Sequence, residues 1–306
     1  SDHPPLHSPM PGPNYDLIAI DLDGTLLDPS GKVSPANRSA LARAREAGLR
    51  ITLCTGRGLL ESQAAITAVN QRDPVVVAGG AIVACPTNQR TLRRFPIDHA
   101  RVTSAAQVLL DHGHAVLVLK DALEVGYDYL VLQGDAGHAL DPVTQWWFGE
   151  MGCRVRYAAH THEDEHPEHT VRIGACAPEE RLATLKTSVQ SLFGNEFIVH
   201  HFPAVVAPGH VACAEGIRLD IFEMFDRAAT KWSALSHLAG EWGIAPQRIA
   251  AIGDQVNDVD MIGSAGLGIA MGNAIPQVAS IARRTTRTNA EDGVAYAIDR
   301  ILCGDW

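Results

Sequence analysis

At 306 residues the chain is long enough for two domains, and with 46% hydrophobic and 20% charged residues it has the composition of a globular protein. A net charge of -10 argues against a nucleic-acid partner held through its phosphates, and a small anionic substrate would need a local positive site against that field. The six cysteines are scattered with no Cys-x-x-Cys pair, which fits neither a disulfide framework nor a zinc knuckle, and no apolar run approaches the roughly 20 residues that span a bilayer. The cytoplasm is the default setting for such a chain.

Residues 1–13, rich in Pro and His, read as a flexible tail. The apolar run 17–20 then ends abruptly in Asp21-Leu22-Asp23-Gly24-Thr25, as a buried parallel strand does where it opens into a loop. An ordinary strand ending in a polar turn looks the same, and Asp-x-Asp also occurs in metal sites of unrelated enzymes. Ser34-Pro35 supplies an N-cap and a first helical residue for a helix that Gly48 closes. A second strand at 49–54 leads into Thr55-Gly56-Arg57, a helix covers 59–69, and a third strand at 74–78 ends in Gly79-Gly80. Strand and helix alternating at this spacing predict a doubly wound parallel sheet.

From about Ala84 the rhythm changes. Strands are expected at 115–119 and 127–132, a β-α-β unit at 171–175, 178–193 and 197–202, and a further strand at 217–222. From Thr230 the parallel rhythm returns, with a helix at 231–242, a strand at 248–252, a helix at 257–265, a strand at 267–270 and helices at 276–282 and 292–302. The expected fold is therefore α/β: a doubly wound, Rossmann-like core from residues 14–83 and 226–306, with an α/β cap, 84–225, inserted into it.

Four short stretches lie where elements of the flanking domain meet loops. They are Asp21 to Thr25, Thr55-Gly56-Arg57, Lys231 at a helix start, and Gly253-Asp254-Gln255-Val256-Asn257-Asp258. If the strands are parallel neighbours, all four converge on one crevice at the carboxyl edge of the sheet. Their residue types fit phosphoryl transfer from a monoester, which needs an in-line nucleophile, a proton donor for the leaving oxygen and positive charge around the phosphoryl oxygens. Asp21 and Asp23 can supply nucleophile and general acid. Asp21, Asp254 and Asp258 offer enough hard oxygen ligands for Mg²⁺. Thr55 offers a hydroxyl and Lys231 a fixed cation. A cation in the first turn of a helix opposes the helix dipole by about 0.3–1 kcal/mol at an exposed site, and an anionic ligand there reverses that preference. A surface lysine is the plain alternative.

In order and in type, these stretches resemble the four motifs of the haloacid dehalogenase superfamily of phosphohydrolases. The resemblance is closer to its Cof-type sugar-phosphatase branch, which carries a large α/β cap between the second and third motifs, where the change of rhythm falls here. The runs 253–262, Ala270-Met271-Gly272-Asn273-Ala274 and Glu291-Asp292-Gly293-Val294-Ala295 also resemble that branch. The resemblance implies Mg²⁺-dependent hydrolysis of small phosphorylated metabolites, sugar phosphates foremost. It implies Asp21 as the nucleophile that forms an aspartyl-phosphate and Asp23 as general acid/base. It gives Thr55, Gly56, Lys231 and Asn257 to the phosphoryl group. Asp21, the Asp23 carbonyl, Asp254 and Asp258 go to the metal or its waters. Members that attack carbon–halogen bonds lack the acid, so Asp23 favours a phosphatase. The branch usually shows Asn-Gly-Ala where this chain has Gly79-Gly80-Ala81, and Lys-Gly where it has Lys231-Trp232, which places a ring near the entrance. Residues 204–214 look like an insertion.

Other features compete for attention. The segment His160 to His169 holds four His and four carboxylates that could bind Zn²⁺ or Ni²⁺, although Pro167 and its polarity read better as a solvated loop. Trp146-Trp147-Phe148 could line a pocket, with a core role the stronger reading. Gly134 and Asp135 could face the leaving group. A phosphomutase or phosphotransferase, and a non-catalytic phosphometabolite-binding protein, are the competing functions.

Overall fold

The computed structural model describes residues 13–204 and 217–306, so most of the expected 204–214 insertion and nearly all of the N-terminal tail lie outside the described residues. The first third runs β1 (Leu17–Ile20), α1 (Pro35–Glu46), β2 (Arg50–Leu53), α2 (Gln63–Ala68), β3 (Val75–Val77), β4 (Ile82–Cys85) and β5 (Arg90–Arg94). The middle runs α3 (His99–Asp111), β6 (Val116–Lys120), α4 (Ala122–Val125), β7 (Tyr129–Leu132), α5 (Pro142–Met151), β8 (Val155–Ala158), β9 (Thr170–Pro178), α6 (Glu179–Phe193), β10 (Phe197–Pro203) and β11 (Leu219–Asp226). The last third runs α7 (Lys231–Glu241), β12 (Ile249–Gly253), α8 (Val259–Ser264), β13 (Leu267–Ala270), α9 (Pro276–Ile281), β14 (Arg284–Thr285) and α10 (Gly293–Leu302).

The core sheet has the order β14-β13-β12-β1-β2, and every pairing in it is parallel. β1 lies between β12 and β2, which explains its uninterrupted apolar sequence. Ile18 and Ile20 pack with Leu41, Ile51 and Ile298 on one face, while Leu17 and Ala19 pack with Leu235, Ala251 and Ile262 on the other. A strand covered on both faces has no polar side to show. The fold is thus the expected α/β class, a doubly wound parallel-sheet core with an inserted α/β cap.

The third expected strand departs from that plan. β3 touches the core sheet through a single parallel bridge, Cys54 to Val76, and then turns antiparallel to β4 and β5 in a small sheet of its own. β5 carries three arginines in five residues, an edge pattern that hides a strand from an apolar reading. The inserted part forms a six-stranded sheet, β10-β11-β9-β6-β7-β8, antiparallel except for β7 with β8. The expected β-α-β unit is present as β9-α6-β10, with β11 seated between its two strands. Alternation along β9 and β11 sends Ile173, Ala175, Phe222 and Met224 into a core with α3 and α6 residues such as Leu109 and Leu185. Arg172, Gly174, Ile221 and Glu223 line the cavity on the opposite face, above the parallel sheet.

The junction between the two parts is close-packed. A Cβ on Gly80, at φ 105°, would stand 2.1 Å from the carbonyl oxygen of Thr230. The chain leaving the core therefore crosses the chain returning to it with no room for a side chain. Gly80→Ala should destabilise the fold by about 2–4 kcal/mol, read as a shift in the urea midpoint at unchanged m. We propose that the cap runs from Pro96 to about Asp226. Phe95 N still bonds Ala81 O, whereas Ile97 N bonds Thr170 O of β9, so the expected start at residue 84 falls inside β4.

Candidate active site

Asp21 stands at the carboxyl end of β1, its N–H still held by the Ile252 carbonyl of β12 at 3.1 Å. The chain then makes one wide turn, with Leu26 N bonding Asp21 O and Leu27 N bonding Leu22 O. Gly24 sits in that turn at φ 72°, where a Cβ would lie 2.3 Å from an Asp254 carboxylate oxygen. Glycine is required there because two motifs meet at van der Waals distance. Thr25 seals the contact by donating its hydroxyl to Asp254 Oδ1 at 2.9 Å.

Lys231 is no surface lysine. Its helix α7 starts with a capping box between Thr230 and Ser233, and its side chain is fully buried between two carboxylates. Its Nζ donates to Asp21 Oδ1 at 2.7 Å and to Asp258 Oδ1 at 2.6 Å. Asp258 Oδ2 accepts from the backbone N–H groups of Asp254 and Gln255 at 2.9 and 3.0 Å, fixing the loop after β12. Burial, reinforced by Asp258, raises the Asp21 carboxyl well above its usual range, with Lys231 opposing. Burial and Asp258 push Asp254 up to about 7. Burial alone would lower the Lys231 ammonium, but its two carboxylates outweigh that and raise it.

The second motif completes the ring of groups. Thr55 is buried, and its hydroxyl oxygen accepts from Arg57 N at 3.1 Å. Gly56 and Asn257 border the same cavity as Asp21, and Asn257 Oδ1 is buried without a partner. Asp23 does not stand free. Arg57 grips it with two bonds, Nε to Oδ2 at 2.7 Å and Nη2 to Oδ1 at 2.6 Å.

Asp21, Asp23, Gly56, Arg57, Asp254 and Asn257 line one end of a cavity of about 290 Å³ whose other walls come largely from the cap, with Thr55 and Lys231 buried behind them. A buried carboxylate, Glu61, ties the two parts together. It accepts from Tyr129 Oη at 2.9 Å and from Trp147 Nε1 at 2.7 Å, and Arg172 donates to that same Tyr129 hydroxyl at 2.8 Å. Trp147 also lies under the Arg57 guanidinium, 4.8 Å from the ring centre. Trp147 and Phe148 are thus pocket residues, where a plain core role was the stronger expectation.

Two other expectations are corrected. Trp232 packs against the hydrophobic cluster of Leu235 and Ile262, away from the cavity lining, because its helix turns that side toward the sheet. Gly134 and Asp135 do not line the cavity; Asp135 is exposed and pairs with His160 at 2.8 Å. The 160–169 segment is the expected loop, two short 3₁₀ turns with no buried residue, tied to the cap where buried Lys120 bonds Asp164, the His166 carbonyl and Thr170.

The whole described chain can be set beside known proteins. Residues 18–298 match the family model of haloacid dehalogenase-like hydrolases. The chain belongs to that family. The 5-amino-6-(5-phospho-D-ribitylamino)uracil phosphatase YwtE of Bacillus subtilis is 30% identical over 298 residues, covering 94% of this chain and 99% of the relative. Phosphatase YwpJ of the same organism is 28% identical over 297 residues, with 94% and 99% covered. A solved haloacid dehalogenase-like hydrolase of B. subtilis superposes with a TM-score of 0.74 at 25% identity, covering 94% of this chain and all of that one. Within the haloacid dehalogenase-like hydrolases, this enzyme stands among the phosphatases.

The carboxylates of this hydrolase fit a hard divalent cation. Among the described residues, ligand atoms of Asp21, Asp254 and Asp258 lie within 4.8 Å of one another. All three are buried, and Lys231 is the shared counter-charge of Asp21 and Asp258. Burial and mutual repulsion, visible in the raised Asp21 and Asp254 carboxyls, are what a cation at that point would relieve. Millimolar Mg²⁺ should raise the thermal midpoint by about 5 °C, and Asp254→Asn should remove most of that rise, as followed by calorimetry. Sequence reasoning missed Glu61, Tyr129, Arg172 and Glu223, which sit outside the motifs, and gave no role to Thr25, inside the first. Arg57 was in view, within Thr55-Gly56-Arg57, but without a role.

Proposed function

We propose that this enzyme is a Mg²⁺-dependent phosphomonoester hydrolase that acts on small phosphorylated metabolites through an aspartyl-phosphate on Asp21. One observation carries the reading. Asp21 borders the cavity, and the buried ammonium of Lys231 stands directly behind its carboxylate at 2.7 Å, so a nucleophile faces the pocket with a fixed cation beside it.

In the first step an Asp21 oxygen attacks phosphorus, the P–O bond to the leaving group breaks, and Asp23 gives its proton to the departing oxygen. In the second, water attacks phosphorus, Asp23 takes the water proton, and phosphate leaves with Asp21 regenerated. Thr55, Gly56 and Asn257 support the phosphoryl oxygens, and Lys231 offsets their charge. Asp258 acts by position, holding Lys231 and the Asp254 loop. When bound, Mg²⁺ would supply the charge that lets a carboxylate approach a phosphate dianion, held by Asp21, the Asp23 carbonyl and Asp254, with Asp258 beside them. Arg57 positions Asp23, holding both of its carboxylate oxygens at the edge of the cavity.

The leaving group is a small metabolite within the reach of the cavity. A sugar phosphate is the reading that follows from the sequence resemblance. A mutase or phosphotransferase would hand the phosphoryl group to a second molecule. Phosphate release from a panel of phosphorylated metabolites with no added acceptor separates hydrolysis from transfer, and the absence of release above background across the panel contradicts hydrolysis. The unpaired cysteines among the described residues support a reducing, cytoplasmic setting.

A further inference from the structure

Away from Asp21 the cavity runs beneath the six-stranded sheet and its lining changes. Leu117, Val143, Phe148 and Ile221 present apolar surface there. Into this wall the sheet sets two charged residues, Arg172 on β9 and Glu223 on β11, both more than nine-tenths buried. The donors of Arg172 are largely committed. Its Nη1 donates to the Gly56 carbonyl at 2.8 Å and lies 2.8 Å from Glu223 Oε1, while Nη2 donates to Tyr129. Glu223 is only half committed. Its Oε2 is buried with no hydrogen-bond partner.

A buried carboxylate oxygen without a donor is destabilising, and an ion pair in such a place often stabilises no more than an apolar pair of the same size. Among the described residues no side chain donates a hydrogen bond to that oxygen. His200 stands opposite Glu223 across the β10–β11 ladder, but its Nδ1 is likewise buried without a partner, so the two groups do not bond each other. Burial raises the Glu223 carboxyl, and the Arg172 guanidinium opposes this.

We propose that Glu223 is a specificity-determining residue whose Oε2 accepts a hydrogen bond from an N–H donor on the leaving group, and that this group is an apolar-faced, nitrogen-bearing ring. The proposal rests on the phosphatase reading of the same cavity. Arg172 fixes one oxygen of Glu223 and so presents the other in a set direction. The ring face would lie against Phe148 and Trp147, where aromatic contact is favourable. The ring would take the place of the sugar expected from the sequence resemblance, because a polyol would set several hydroxyls against Leu117, Val143 and Ile221, where they find no partner.

Calorimetric binding of benzylphosphonate and of 3- and 4-aminobenzylphosphonate, with Mg²⁺ present, tests this without relying on turnover. The wild-type enzyme should bind the better amino compound at least about tenfold more tightly, since a hydrogen bond to a charged group is worth that much. In Glu223→Gln the amide oxygen would turn toward Arg172 and its NH₂ group would replace Oε2, exchanging an acceptor for a donor. The affinity ratio should then fall below about twofold, with a thermal midpoint near wild type showing that the fold survives. Equal affinities in the wild type overturn the proposal, as does a ratio that Glu223→Gln leaves intact. Release of phosphate from benzyl phosphate is measured alongside. Release without a binding preference defeats the role of Glu223 and keeps the phosphatase, while a preference without release does the reverse.

Discussion

Asp21→Asn should lower turnover of p-nitrophenyl phosphate in Mg²⁺ by at least about 10⁴-fold, because the amide cannot attack phosphorus and no neighbouring group can take its place. Asp254 is bonded by Thr25, and Asp258 is anchored by Lys231 and two backbone N–H groups. The fold should tolerate the change. Asn keeps the shape and can still accept from Lys231 Nζ, which retains Asp258 as its charged partner. Steady-state kinetics beside a urea melt separates the two effects. Activity within tenfold of wild type, with the melt unchanged, would remove Asp21 from the chemistry.

Lys231→Met should fail on both counts. It leaves the Asp21 and Asp258 carboxylates buried without their cation, and removing one partner from a buried ion pair destabilises by about 3–5 kcal/mol. Turnover should fall by about 10²–10³-fold, since the positive charge at the phosphoryl oxygens goes with it. The double variant Lys231→Met/Asp258→Asn tells stability from catalysis. Removing the stranded carboxylate should restore part of the urea midpoint and none of the rate. If the rate recovered along with the fold, Lys231 would be a structural cation only.

The parallel core was legible because its strands are buried on both faces, so Leu17 to Ile20 and Ile249 to Ile252 read as unbroken apolar runs. The motif residues followed from it. A parallel sheet carries the ends of β1 and β12 to one edge, and Asp21, Asp254, Asp258 and Lys231 meet there as the spacing required. The cap was less readable. β8 has no fully buried residue and β5 is mostly charged, so neither shows an apolar period. Glu61 and Arg172 look like surface residues in sequence, yet each is buried because a partner from a distant segment satisfies it: Tyr129 and Trp147 for the first, Glu223 for the second. Such pairings between remote stretches carry no local signal. Asp23 illustrates a different limit, since its spacing from Asp21 is plain but its grip by Arg57 depends on how β2 ends.

The central claim is that the phosphoryl group passes through Asp21. In Asp23→Asn, p-nitrophenolate still departs without protonation, while the second step lacks the base that activates water. Mixed briefly with p-nitrophenyl phosphate and Mg²⁺, quenched in acid and digested, this variant should yield the peptide carrying Asp21 with a phosphoryl group attached. Release of p-nitrophenol with that peptide unmodified would show that water attacks the substrate directly.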